Sequence, residues 1–270
     1  MKPGSPQAKA LFLKKETDFK REVEQTKGNI KKLEESIAKN TDGFADYRQI
    51  ALAAEYLTLV NLYIAITDDM LSLRGVRNES YLSEGRKAYY SALMCLEKVG
   101  SDIINLEPTE IQAKVDKIPK FDPARKIIFF RKMGFTLDRL SESFGEKSKY
   151  RWGFVDMFGR YAVIVKNFMD YKQIATRDPR KAFFEELEVI LNMLLDLLSR
   201  AADKLREKYE MATKEFEDMN KAIRILDELR RINVILGDSA GAEDNKRKMD
   251  VWKDKLEKDL KSKEETKKKR

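Results

Sequence analysis

The chain has no histidine and a single cysteine, Cys95. These absences exclude Ser-His-Asp and Cys-His catalysis, His-bearing zinc sites and any intrachain disulfide. Glycine and proline are scarce, twelve and six in 270 residues, which argues against a β-sandwich, a barrel or a flexible linker. No GxxxxGK[ST] or GxGxxG loop is present, so nucleotide chemistry has no support. Residues 50–66 come nearest to a membrane span, but Glu55 and Asn61 interrupt them and they fall short of the ~20 residues a bilayer requires. The start, Met1-Lys2-Pro3-Gly4-Ser5-Pro6, leads into charged sequence with no apolar core of a secretory signal. The run around Cys95 suits a buried, reduced thiol. A cytoplasmic location is the expectation.

What the chain does have is charge and apolar periodicity. Charged residues make up 37% of it, far above ordinary usage, yet the signs nearly balance at +8, which describes a solvated and mildly basic surface. The hydrophobic fraction of 42% suffices for a packed core. Prolines at 3, 6, 108, 119, 123 and 179 leave three proline-free tracts through which helices run. Ser5-Pro6, Asp122-Pro123 and Asp178-Pro179 each set a capping side chain before a proline at the first helical position, where its missing N–H costs nothing.

The fold class expected is all-α: a multi-helix bundle body with protruding coiled-coil arms. A first helix over about 6–39 carries Phe12, Phe19, Val23, Thr26, Ile30, Leu33 and Ile37, a narrow heptad seam ended by the turn at 40–43. A second, over 44–73, is apolar almost all round, with Glu55, Thr58 and Asn61 as its thin polar line, and belongs at the centre of a bundle. A third spans about 79–104, and a short one 109–117 lies inside a proline-bearing stretch, 105–121, that is the best candidate sub-boundary. Further helices are expected over 122–144 and 148–175. Beyond Asp178-Pro179 no breaker occurs until Gly237, which implies one helix of roughly 85 Å at 1.5 Å per residue.

That long helix begins as core and narrows to a seam at Leu205, Tyr209, Ala212, Phe216, Met219, Ile223 and Leu226, in alternating steps of four and three residues. If the chain reverses at residues 237–241, Met249 meets Leu229, Trp252 meets Leu226, Leu256 meets Ala222 and Ile223, and Leu260 meets Met219. The domain reading is an N-terminal helix 1–42, a body 43–204 able to fold alone, and a C-terminal helical hairpin 205–270 with a basic tail, Lys267-Lys268-Lys269-Arg270. No solenoid repeat is present.

Candidate chemistry is thin. Glu185/Glu188, Glu207/Glu210 and Glu215/Asp218 set paired carboxylates on helix faces, and Asp68-Asp69 is half of a diphosphate-binding motif. All lie among compensating lysines and arginines and read as solvated faces, so no metal or cofactor is expected. Residues 121–176 stand out: they hold 12 of the 26 aromatics, with 11 Lys and Arg against 6 Asp and Glu. There Arg125, Lys126, Arg131, Lys132, Lys149, Arg151 and Trp152 interleave cations with rings, as partner-binding surfaces do, while Phe129, Phe130, Phe154, Phe158, Tyr161, Val165 and Phe168 recur at core spacing. Gly153 and Gly159 would let helices cross closely. The function these features imply is a non-enzymatic scaffold or adaptor that binds protein partners, or itself, through its arms and basic aromatic surface. A nucleic-acid-binding helical protein is the alternative, and a carboxylate-magnesium hydrolase a distant third.

Overall fold

The computed structural model describes residues 2–39 and 43–268, with side chains as far as 265. The expected turn at 40–43 is therefore represented by Gly43 alone, and the side chains of Lys267, Lys268, Lys269 and Arg270 lie outside the described residues. The protein is all-α, without a strand among the described residues. Its helices are α1 (Pro6–Lys39), α2 (Ala45–Arg74), α3 (Glu79–Val99), α4 (Pro108–Val115), α5 (Pro123–Phe144), α6 (Arg151–Asn167), α7 (Tyr171–Thr176), α8 (Phe184–Lys208), α9 (Phe216–Leu236) and α10 (Ser239–Lys268), with a π-helical turn at Tyr209–Thr213. The chain forms two compact units, Met1–Ser101 with Ile128–Met157, and Asp102–Ile127 with Phe158–Arg270.

This division differs from the one periodicity suggested. The first helix is not a separate arm: α1 packs along α2 and buries Ala8, Phe12, Phe19, Val23, Thr26 and Ile30, while Leu33 and Ile37 are half-covered. Its seam is filled from within the unit. Phe19 meets Tyr63 of α2 edge-on at 5.8 Å and Tyr81 of α3 at 5.2 Å, and the Tyr63 and Tyr81 rings stack at 6.1 Å. Such ring contacts contribute about 0.5–1.5 kcal/mol each beyond burial.

Helix α2 lies between α1 and α3, as an all-round apolar helix must in water. Among the described residues it is the one helix long and apolar enough to cross a membrane, and most of that apolar stretch is buried in the protein. Its polar line is half-covered and makes contacts within the unit. Asn61 donates to the Thr136 hydroxyl of α5 at 3.1 Å, Glu55 receives Asn29 of α1 at 3.5 Å, and Thr58 satisfies itself on the Ala54 carbonyl. The same α5 helix accepts the Tyr89 hydroxyl of α3 at the Met133 carbonyl. An unexpected close approach occurs at Gly85, where an added Cβ would lie 3.3 Å from Leu140.

In the second unit the expected helix over 179–236 does not exist as one piece. Helix α8 gives way to the π turn, Lys214 enters the left-handed region at φ 51, Glu215 is extended, and α9 returns along α8. The reversal is clasped by Asp218, whose carboxylate accepts from the Lys208 ammonium at 2.9 Å and from the Thr213 hydroxyl at 2.7 Å. The break begins at Tyr209, where the seam spacing itself continues unbroken, and Ala212, assigned to the seam, is exposed.

Gly237, at φ 74, then turns the chain into α10, which packs along α9. The pairing follows the expected register: Lys263 lies 4.7 Å over the Phe216 ring, the same offset that sets Leu260 beside Met219. Helix α10 also reaches α8, through Lys248 with Asp203 at 2.7 Å and Arg206 over Trp252 at 5.4 Å. Leu205, Tyr209, Met219, Ile223, Leu226, Met249, Trp252 and Leu256 are accordingly core of the second unit, with Phe216 half-buried, and do not form a projecting seam.

Smaller corrections have local causes. The helix expected over 148–175 stops at Asn167, because Asp170 accepts the Gln173 N–H at 3.0 Å and recaps the chain as α7. Asp178-Pro179 opens a turn instead of a helix: Asp178 is occupied by the backbone N–H and guanidinium of Arg180, and α8 begins only after Phe183, itself at φ 65. Helix α3 ends at Val99, five residues before its expected end. Gly159 does admit Leu205, 3.4 Å from a would-be Cβ, whereas nothing crowds Gly153.

Lys214→Gly should stabilise the protein by up to about 1 kcal/mol, since a left-handed backbone costs an L-residue about 1–2 kcal/mol and glycine little. Urea unfolding at unchanged slope would measure it. A continuous helix at this point would give the opposite sign, a loss of about 1 kcal/mol.

Candidate functional site

The basic and aromatic stretch separates into three environments. Arg125 and Lys126 belong to the second unit; Arg131, Lys132, Lys149, Arg151 and Trp152 belong to the first. Arg125 is exposed and serves its own helix start, donating its guanidinium to the Lys120 carbonyl at 2.7 Å and to the Asp122 carboxylate at 2.6 Å. Lys126, one residue further and about 100° round the helix, is only 4% exposed. It is therefore no part of a surface. Burial pushes its ammonium down to about 8, against the pull of Asp170 and Asp122.

In the first unit, Arg131 and Lys132 are exposed on α5. One turn to either side, Ile128 is 71% exposed and Phe135 62% exposed. The opposite face of α5 holds Phe130, Met133, Leu137 and Leu140 in the core, so the exposed stripe is what remains of an amphipathic helix that is apolar on both sides.

The third environment is the bend between α5 and α6. Gly145, at φ 82, ends α5, and the Ser148 hydroxyl accepts the Tyr150 N–H to start the next helix. Tyr150 is pinned edge-on to Phe144 at 5.1 Å, and Phe144 to Phe154 at 5.4 Å. Two cations approach this fixed ring: Lys149 at 5.1 Å and, from α3, Arg86 at 4.5 Å. Arg86 also lies 5.9 Å from Tyr90, one turn along its own helix. Arg151 stacks on Trp152 at 4.6 Å. Arg86 and Tyr90 were not legible as site residues, because more than fifty positions separate them from Tyr150.

The second unit also holds a buried ionic network. Lys166, at the end of α6, is 0% exposed and donates to Glu228 of α9 at 2.9 Å and to the Leu106 carbonyl at 3.5 Å. Glu228 receives Arg231 at 3.0 Å and Asn105 at 3.4 Å on its other oxygen, and Arg231 reaches on to Glu107 at 2.6 Å. Burial lowers the Lys166 pKa while Glu228 opposes the shift, and burial chiefly, then Glu228, raises that of Tyr171. Every strong acceptor is met inside the cluster, which describes a structural tie.

Both aspartates of the Asp68-Asp69 motif, and one member of each remaining carboxylate pair, are occupied by a cation. Asp68 pairs with Arg139, Asp69 with Lys15, Glu188 with Arg177, and Glu210 with Arg206. Among the described residues no group of three or more Cys, Asp or Glu is disposed to hold a metal ion. Cys95 is buried, and desolvation raises its thiol pKa to about 11.

A family model, that of the TP0443 family, matches residues 8–260. The search of curated proteins found no match. One solved chain, from work described as "Computational Design of Self-Assembling Cyclic Protein Homooligomers", aligns over 93% of this chain and 97% of its own at 11% identity, with a TM-score of 0.29.

Two outcomes follow from the buried charges. Glu228→Gln should destabilise the protein by about 3–5 kcal/mol by leaving Lys166 buried without a counter-ion, whereas Lys166→Met with Glu228→Leu should recover most of that loss. Urea midpoints of the two variants decide it. Lys126 gives a pH signature. With a folded pKa of about 8 against the usual 10.5, its charge opposes folding fully below pH 8 and ceases to do so as pH rises to 10.5. Lys126→Met should therefore gain up to about 3 kcal/mol at pH 7, a gain that vanishes near pH 10.5 when unfolding is compared at both values.

Proposed function

The chain belongs to the TP0443 family, and we propose that it is a non-enzymatic, cytoplasmic helical scaffold or adaptor whose first unit holds a protein partner on its basic and aromatic surface. The observation that carries this reading is the α5 stripe: Arg131 and Lys132 stand exposed between two large apolar side chains, Ile128 and Phe135, that water would otherwise force inward. Arginine beside exposed apolar anchors is the composition that interface centres favour. The helical seams do not supply the partner surface in this proposal, since their residues are covered by their own units. A nucleic-acid partner draws support from a different place, the alternation Lys149-Tyr150-Arg151-Trp152, whose two cations lie on neighbouring rings as in single-strand platforms.

Changing Arg131, Lys132, Lys149 and Arg151 together to Glu should abolish capture on an immobilised polyglutamate resin. Thermal stability should barely move, because exposed charges contribute about 0–1 kcal/mol each. Undiminished capture would remove these residues from the site. Titration of single-stranded DNA against salt separates the two readings: a steep log–log fall of affinity with salt favours nucleic acid.

A further inference from the structure

Arg86 of α3 has two tyrosine rings beside it and no anionic partner among the described residues. Its guanidinium lies over the Tyr150 ring at 4.5 Å and the Tyr90 ring at 5.9 Å, its Nε is buried without a hydrogen-bond acceptor, and among the described residues no carboxylate pairs with it. Glu84, two positions earlier, turns to Lys87 at 2.7 Å. A buried donor left unmet costs about 1–3 kcal/mol, and natural proteins retain few of them. The tyrosine rings meet the cation only through their π faces, which accept none of its N–H bonds, so the guanidinium's donors remain for an acceptor. The second cation at the same ring, Lys149, is exposed and has no carboxylate partner among the described residues either. Tyr150 is set in place by its edge-on contact with Phe144 and by the Ser148 cap.

We propose that Arg86 and Lys149 form a binding site for a phosphoryl dianion, with the guanidinium engaging two of its oxygens and the ammonium a third. Two cations at one ring match a doubly charged group better than a single carboxylate, and the planar fork of arginine fits phosphate oxygens in pairs. Tyr90 and Tyr150 are positioning residues whose rings hold the cation through π contacts. The site shares Lys149 with the basic surface proposed above but uses none of the α5 stripe, so Arg131→Glu with Lys132→Glu separates failure of that surface from failure of this site.

Phosphorus-31 NMR of the full chain at pH 8, titrated with inorganic phosphate and separately with phenyl phosphate, tests it. Saturable binding of at least one is expected, weakened tenfold or more by Arg86→Met and several-fold by Lys149→Gln, while Arg131→Glu with Lys132→Glu leaves it intact. Tighter binding of phenyl phosphate would make a phosphate ester the source, and tighter binding of the inorganic ion would make it free phosphate. Near-UV circular dichroism checks that Arg86→Met is folded; if it is not, Arg86→Lys, which keeps the charge and loses the fork, should still weaken binding. The proposal is overturned by absence of saturable binding to either probe, by equal affinity in folded Arg86 variants, or by acetate competing as well as phosphate.

Discussion

The second unit is organised by the need to neutralise one lysine. Lys166 ends a helix whose preceding turn, Tyr161 to Val165, is wholly buried, so its ammonium cannot reach water. The cost of desolvating it is offset by Glu228 from α9 and by the Leu106 carbonyl, and Glu228 in turn draws in Arg231 and Asn105. One charge thereby fixes where α9 lies against α6 and where the chain before α4 must run. Buried pairs of this kind add little net stability, but they penalise any arrangement that separates the partners.

The first unit solves a different problem. Helix α2 is apolar on nearly all sides and must be surrounded, and α1, α3 and α5 do so with rings and with single polar contacts such as Asn61 to Thr136. Most of its apolar stretch is covered, which makes the apolar stripe on α5 stand out. Ile128 and Phe135 are turned away from a core that is already filled by the opposite face of the same helix.

Placement of the candidate site residues turned on single positions. Arg125 and Lys126 are adjacent in the chain, yet one is exposed and pairs with the Asp122 carboxylate that caps its helix while the other is buried. A basic residue on a helix is read from sequence as solvated, since that is its cheapest state; whether it escapes depends on what packs against that face. Arg86 was invisible for the complementary reason. Nothing within its own helix singles it out, and its role arises from a tyrosine brought beside it by the fold.

What the sequence by itself determined is what backbone chemistry settles within a turn or two. The helical class, the start of α5 after Asp122, the ends of α2 and α9 at Gly75 and Gly237, and the register of α9 against α10 all follow from caps, glycines and apolar spacing. Only the tertiary structure decided that the helix expected from 179 to 236 folds back at Lys214, because no local breaker marks the place. There a left-handed lysine is held by contacts made afterwards, Lys208 and Thr213 on Asp218 and Tyr209 on Asp259 of α10. Such contacts are worth their cost only once both sides of the turn are packed, and no window of the sequence contains both sides.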